Sequence, residues 1–172
     1  ISFYLGCFAE FANQTVRSRW DRFLQKTIVG TMDKKSGEGK YRVVISEKAQ
    51  SELGKRYGLD AMVIPLGVDI RLSLLDKTEA RRQLKLPGAA PLGVFMGPAQ
   101  WAKGWDIVLQ TARALPQITF VCLTDTASAP GGPKNIILRK DVDEEEKNKW
   151  YQAADFFLFP SRYEAGAYVV LE

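Results

Sequence analysis

Apolar positions along this chain follow two rhythms, and their succession predicts its elements. Phe11, Val16, Trp20, Phe23 and Leu24 recur at three- and four-residue steps, which predicts a helix over about 9–27 whose apolar face they form. Residues 32–40, rich in Gly, Lys and Ser, read as an exposed loop. A short strand follows at 41–45. Ser46 then caps a helix reaching about Tyr57, with Gly58 as its stop signal. Residues 61–64 form another strand, ended by Pro65. Residues 71–76 read as a linker, and 77–84 as a short helix ended near Pro87 and Gly88.

From there the alternation is regular. Strands at 92–96, 118–123, 136–138 and 155–159 are separated by helices at 105–115 and 143–153 and by a loop rich in Gly and Pro. Near-continuous apolar strands alternating with helices predict an α/β fold, a Rossmann-like parallel sheet with helices on both faces. Pro160 ends the last strand because it cannot donate to the ladder.

Composition narrows the class. At 172 residues the chain holds one ordinary domain or parts of two, and its 46% hydrophobic and 26% charged residues are those of a globular protein with a sizeable core. No apolar run approaches the ~20 residues of a membrane span. The apolar opening from Ile1 is cut by Glu10 and has no basic region before it, unlike a signal peptide. Cys7 and Cys122, far apart in the chain, read as buried thiols of a reducing, cytoplasmic setting. The absence of histidine and of a Cys cluster argues against zinc. The net charge of +4 arises in the first half, with Arg17, Arg19, Arg22, Lys26, Lys34, Lys35 and Lys40. Such a half meets nucleic acid, an anionic membrane surface or a phosphorylated substrate, or is simply a solvated helix face with a basic loop. No RNA-binding signature accompanies it, so nucleic acid is not an expected partner and peripheral membrane contact is retained.

The chemistry gathers at the end of the chain. Glu164 falls in the loop leaving the last strand, and Glu172, eight positions on, about two turns into a following helix. Loops at the carboxyl ends of parallel strands are where open α/β sheets bind ligands. Two acids so spaced suit an elongated, hydroxyl-rich ligand such as a sugar nucleotide, because an ionised carboxylate accepts from two hydroxyls at once. Upstream, Gly97 to Gly104 links a buried strand to a helix start and carries Lys103. Such loops aim a positive helix end at an anion, and a Lys there adds a mobile charge.

Several pieces in order resemble the retaining glycosyltransferases of GT-B fold, chiefly family 4, also called group 1. They are Ser46-Glu47, Val63-Ile64-Pro65-Leu66-Gly67-Val68-Asp69, Arg81-Arg82-Gln83-Leu84-Lys85-Leu86-Pro87, Phe95-Met96-Gly97 through Lys103-Gly104, and Phe157-Leu158-Phe159-Pro160-Ser161 with the E-x7-E pair Glu164 and Glu172. Five pieces at plausible spacings are far more specific than any one. The resemblance implies that residues 1–66 are the tail of an acceptor-side domain with its hinge strand, and 67–172 most of the donor-binding domain. It implies that the rest of both lies outside this sequence.

The resemblance also assigns roles. Glu164 meets donor sugar hydroxyls, Glu172 the ribose, and Lys103 the diphosphate, with Gly97, Gly166, Ala167 and Tyr168 lining the donor and Val142 near the base. Two departures stand out. Family members carry an Arg where this chain has Pro98, with Arg162 as a candidate replacement, and their nonamer glycine falls at Ala167, one place after Gly166. Asp141-Val142-Asp143 imitates a metal-binding D-x-D, but Asp143 with Glu146 makes a capping box, and no metal is expected. The expectation is a glycosyltransferase using a nucleoside-diphosphate sugar as donor substrate, with no cofactor, and a sugar, glycan or lipid-linked acceptor met through the absent domain. The isolated piece is expected to be inactive. The alternatives are a non-catalytic nucleotide-binding domain of the same fold and a sugar-nucleotide epimerase.

Overall fold

The computed structural model describes residues 2–4, 7–67, 75–86, 90–126, 128–129 and 132–171; Val68, Asp69, most of the expected linker, Pro87, Gly88 and Glu172 lie outside the described residues. The chain forms two compact units, one of Ile1–Asp69 with Arg162–Glu172 and one of Ile70–Ser161.

The first unit runs β1 (Ser2–Tyr4), α1 (Phe8–Thr15), α2 (Arg19–Leu24), α3 (Gly30–Gly37), β2 (Arg42–Val44), α4 (Glu47–Tyr57) and β3 (Met62–Val63). Its strands pair in parallel in the order β1-β2-β3. The helix expected over 9–27 is broken. Val16 is extended, Ser18 accepts from the Asp21 N–H to start α2, and Arg22 donates to the Val16 carbonyl at 2.7 Å. Its continuation overturns the loop expected at 32–40. A single π-turn, Gln25–Val29, closed by the Gly30 N–H on the Gln25 carbonyl, joins α2 to α3. Tertiary bonding overrides the weak local propensity of α3, because the Asp33 carboxylate accepts from Phe8 N–H at 3.2 Å and Tyr57 hydroxyl at 2.9 Å. The apolar face itself is inverted: Trp20 is 68% and Phe23 59% exposed. Helix α4 forms as expected, with the Ser46 hydroxyl accepting from Ala49 and Gly58 left-handed at its end.

The core of this unit is Cys7, Ala9, Val44, Ala49, Leu53 and Tyr57. Two tyrosines knit it. The Tyr57 hydroxyl accepts from Ala9 N–H while donating to Asp33, and the Tyr163 hydroxyl accepts from Cys7 N–H while donating to Glu52 at 2.6 Å. Burial, and then these carboxylates, push both phenols above their ordinary range.

The second unit holds α5 (Lys77–Gln83), β4 (Leu92–Met96), α6 (Trp105–Ala114), β5 (Thr119–Leu123), β6 (Ile136–Arg139), α7 (Glu144–Ala153) and β7 (Phe156–Leu158). All pairings are parallel, in the order β6-β5-β4-β7. The apolar strands are covered by Ala80, Trp150 and Ala153 on one face and Val108 on the other, as near-continuous apolar runs demand. Phe156 takes the space over Gly93, whose added Cβ would lie 2.6 Å from the ring. Cys122 is buried and free, and burial pushes its thiol up to about 12. The last segment, grouped with the first unit, ends in the short helix α8 (Tyr168–Leu171).

Asp155 ties the second unit together. It accepts from the Leu92 N–H at 2.8 Å and from Arg81 at 2.7 Å, and pairs with Lys77, while Arg81 also donates to the Ala153 carbonyl. The Lys77 ammonium, then the Leu92 amide, hold its carboxyl at about 2. That lies below the ~3.9 of an unfolded aspartate, so its stabilisation is complete above about pH 4 and is lost as pH falls toward 2. Asp155→Asn is expected to lower Tm at neutral pH by about 4 °C or more, roughly the effect of one ~1 kcal/mol hydrogen bond. Thermal melts across pH should also show a flattened acid limb between about pH 4 and 2; an unchanged limb would refute the clamp.

Candidate functional site

In the second unit the chain builds outward from β4 through β5 to β6, then crosses back to place β7 on the other side of β4. Loops leaving β4 and β7 therefore part in opposite directions, and such a switch point opens a crevice at the strands' carboxyl ends. The β4 loop begins at Gly97, which extends the sheet by donating to Leu123 at 3.0 Å and has φ of 143°, a region that favours glycine. Ala99 N–H donates to Asp125 at the end of β5 at 2.9 Å, and the Thr124 hydroxyl donates to the same oxygen. The Ala99 amide is the first cause holding the Asp125 carboxyl below its usual range. Asp125 thus braces the β4 loop against the end of β5.

A single 3-10 turn, Trp101–Lys103, carries the half-buried Lys103 to the start of α6. The amides around it are already used. Lys103 and Trp105 donate to the Gln100 carbonyl, and Gly104 to Trp101, at 3.0–3.2 Å. The loop's own carbonyls take these amides, so the positive charge of this stretch is that of the Lys103 ammonium and the amino end of α6.

Gly104 closes the crevice. Its φ is 75°, and a Cβ on it would lie 2.3 Å from the Pro160 carbonyl oxygen. Ser161 Oγ donates to the Ala102 carbonyl at 3.4 Å, so the β4 and β7 loops also meet there. At the β6 end, Val142 turns its side chain into the core cluster, which leaves its main chain for any ligand contact. Asp143 spends its carboxylate on Glu146 N–H at 2.7 Å as the α7 cap, and the Asp141 side chain is 83% exposed beside Lys140. That is the Asp143 half of the expected capping box, while the Glu146 carboxylate accepts from Trp150 Nε1 at 3.1 Å.

The remaining sequence-predicted residues belong to the first unit, where the segment from Arg162 is pinned on the start of α4. Lys48 donates to the Glu164 carbonyl at 2.7 Å and lies 4.5 Å from the Tyr163 ring centre, and the Ser46 hydroxyl donates to the Ala165 carbonyl. An added Cβ on Gly166 would meet the Ile45 and Tyr168 side chains at 3.1 Å each, so a larger residue there requires those side chains to shift. Arg162, Glu164, Ala167 and Tyr168 are half-buried, and the Ala167 carbonyl accepts from Val170. Tyr163 was not singled out by sequence; its pairing with Glu52 is long-range and leaves no local signal.

Two grooves lie at the amino ends of the sheets. One of about 610 Å³ is lined by Lys77, Arg81, Arg82 and Asp155 at the amino end of the second sheet, where the cations already pair with Asp155 and Glu79. Another, about 900 Å³, runs between Tyr41 and Met62 at the amino end of the first sheet.

No family model matches the chain. The D-inositol 3-phosphate glycosyltransferase of Xylanimonas cellulosilytica is 28% identical to it over 155 residues, covering 76% of this chain and 37% of its own length. A Bacillus subtilis protein named for teichuronic acid biosynthesis, the glycosyltransferase TuaC, is 29% identical over 142 residues, covering 79% and 36%. Sucrose-phosphate synthase from Thermosynechococcus elongatus shares the fold with a TM-score of 0.73 at 20% identity, over 97% of this chain and 45% of its own. The chain thus spans well under half the length of these relatives. By its sequence relatives and its parallel α/β architecture, the chain is a homologue of glycosyltransferases and carries part of their GT-B fold.

Proposed function

We propose that the crevice of the second unit binds the diphosphate end of a nucleotide-sugar donor, and that the whole protein transfers that sugar to an acceptor hydroxyl with retention. One observation carries the reading: the strand order reverses between β4 and β7 where Lys103 and the touching Gly104 and Pro160 loops lie. As the glycosidic bond breaks, negative charge develops on the leaving diphosphate. Lys103 and the positive end of α6 oppose that charge without a metal. The base lies along the main chain of Asp141 and Val142. Glu164 and Glu172 accept from donor hydroxyls, with Arg162, Gly166, Ala167 and Tyr168 beside them, an assignment resting on motif position alone. The donor is a substrate and no cofactor is invoked. The acceptor is a sugar, glycan or lipid-linked hydroxyl compound, chosen outside this chain. A non-catalytic domain of the same fold is the competing reading, favoured by Pro98 and Ala167.

Ligand-observed NMR of the chain against UDP, GDP and ADP tests the proposal. One diphosphate should bind, and Lys103→Met should weaken it about tenfold, the effect of losing one charge-assisted contact of ~1.5 kcal/mol. Glu172→Ala should weaken it as well; unchanged binding there would support the non-catalytic reading. Binding of no diphosphate, or binding indifferent to Lys103, would defeat the assignment. Gly104→Ala should destabilise by about 2 kcal/mol in urea unfolding, because it combines a positive φ with a backbone clash, and should cost binding too.

A further inference from the structure

The loop that carries Lys103 leaves β4 with a proline directly after Gly97. Pro98 has a fixed φ and no N–H, so the first amide beyond Gly97 that can donate belongs to Ala99. Asp125 takes it. One carboxylate oxygen accepts from the Ala99 N–H at 2.9 Å and from the Thr124 hydroxyl at 3.1 Å. That acceptor stands on the sheet itself. Thr124 is buried, and its N–H donates to the Arg139 carbonyl at 2.9 Å, which continues the β5–β6 pairing past Leu123 to the foot of Asp125. The far side of the same loop is held from β7, through Gly104 against Pro160 and Ser161 on the Ala102 carbonyl. The stretch from Ala99 to Ala102 is thus gripped from β5 at one end and from β7 at the other, and Lys103 follows directly.

We propose that Asp125 is a positioning residue of the crevice, fixing through Ala99 the loop that presents Lys103 to a diphosphate, a role that rests on the crevice being the donor site. The sign of its charge carries the argument. An ionised carboxylate on a loop that meets an anion lowers affinity by repulsion, so it raises affinity only by what it holds in place. The Ala99 amide, and with it the Thr124 hydroxyl and the Lys140 charge, keep the carboxyl ionised. Two substitutions separate geometry from charge. Asp125→Asn removes the charge and keeps an oxygen for the Ala99 N–H, whereas Asp125→Ala removes both.

Hydrogen exchange of the Ala99 amide, with ligand-observed NMR titrations of the whole chain against UDP, GDP and ADP, decides the matter. Asp125→Ala should speed Ala99 exchange about tenfold and weaken the diphosphate that the parent chain binds about tenfold. Asp125→Asn should exchange like the parent and bind at least as tightly, a rescue that a general loss of stability would not give. Lys103→Met added to Asp125→Ala should cost far less than it costs the parent, because a displaced Lys103 has already lost its contact. Equal or tighter binding by the alanine variant, additive losses in the double variant, or unchanged Ala99 exchange would overturn the proposal. A parent chain that binds none of the three defeats the donor reading and this role with it; a parent that binds while the variants disagree leaves the donor reading standing without Asp125.

Discussion

The carboxylate of Asp155 is the constraint on which the second unit depends. Its oxygens take bonds from the first residue of β4 and from two cations of α5, while its own main chain opens β7. One side chain thus sets where β4 and β7 run side by side, and that pairing is the reversal of strand order that creates the crevice. The clamp is mutual. Arg81 is only 8% exposed, and a guanidinium so buried requires a counter-charge and acceptors for its fork, which Asp155 and the Ala153 carbonyl supply. Removing the acid therefore leaves a buried cation as well as a loosened strand.

What the clamp does at the amino ends, Gly104 does at the carboxyl ends. Strand β7 has three residues, so two fixed points determine its path. With the β4 loop braced on Pro160, on Ser161 and on Asp125, its amides serve the loop's own shape. A rigid loop with spent amides recognises an anion through a side chain. On the proposed donor reading, that places the weight of phosphate binding on Lys103, and the side-chain cation missing at Pro98 counts the more.

Sequence made the second unit legible and the first only in part. Strands buried on both faces announce themselves as apolar runs, and Ser46, Asp143, Gly58 and Gly104 mark helix ends by local chemistry. Arg81 in its motif piece and Asp155 at the start of the last strand carry no local sign of each other, because their bond joins residues 74 apart. β1 and α3 were not readable for the same reason: one exists by pairing with Arg42–Val44, the other by Asp33 accepting from Phe8 and Tyr57. Of the expected site, Lys103 and Gly97 stand at the switch point, while Glu164, Gly166 and their neighbours are anchored in the first unit. Glu172 lies outside the described residues.

The inverted helix shows where periodicity stops being informative. A repeat of three and four separates two faces but does not say which packs. Here the packing decides. Near Gly30 the inward face is close-packed, an added Cβ meeting Ala9 and the Tyr57 hydroxyl at 3.6 Å, and Asp33 bonds across the seam to Tyr57. Large apolar side chains held outward forfeit the stabilisation of burial, ~1.5–3 kcal/mol for each one. Five, Trp20, Phe23, Leu24, Ile28 and Met32, stand outward in one stripe here, so the repeat marks the stripe without saying which side of the helix packs.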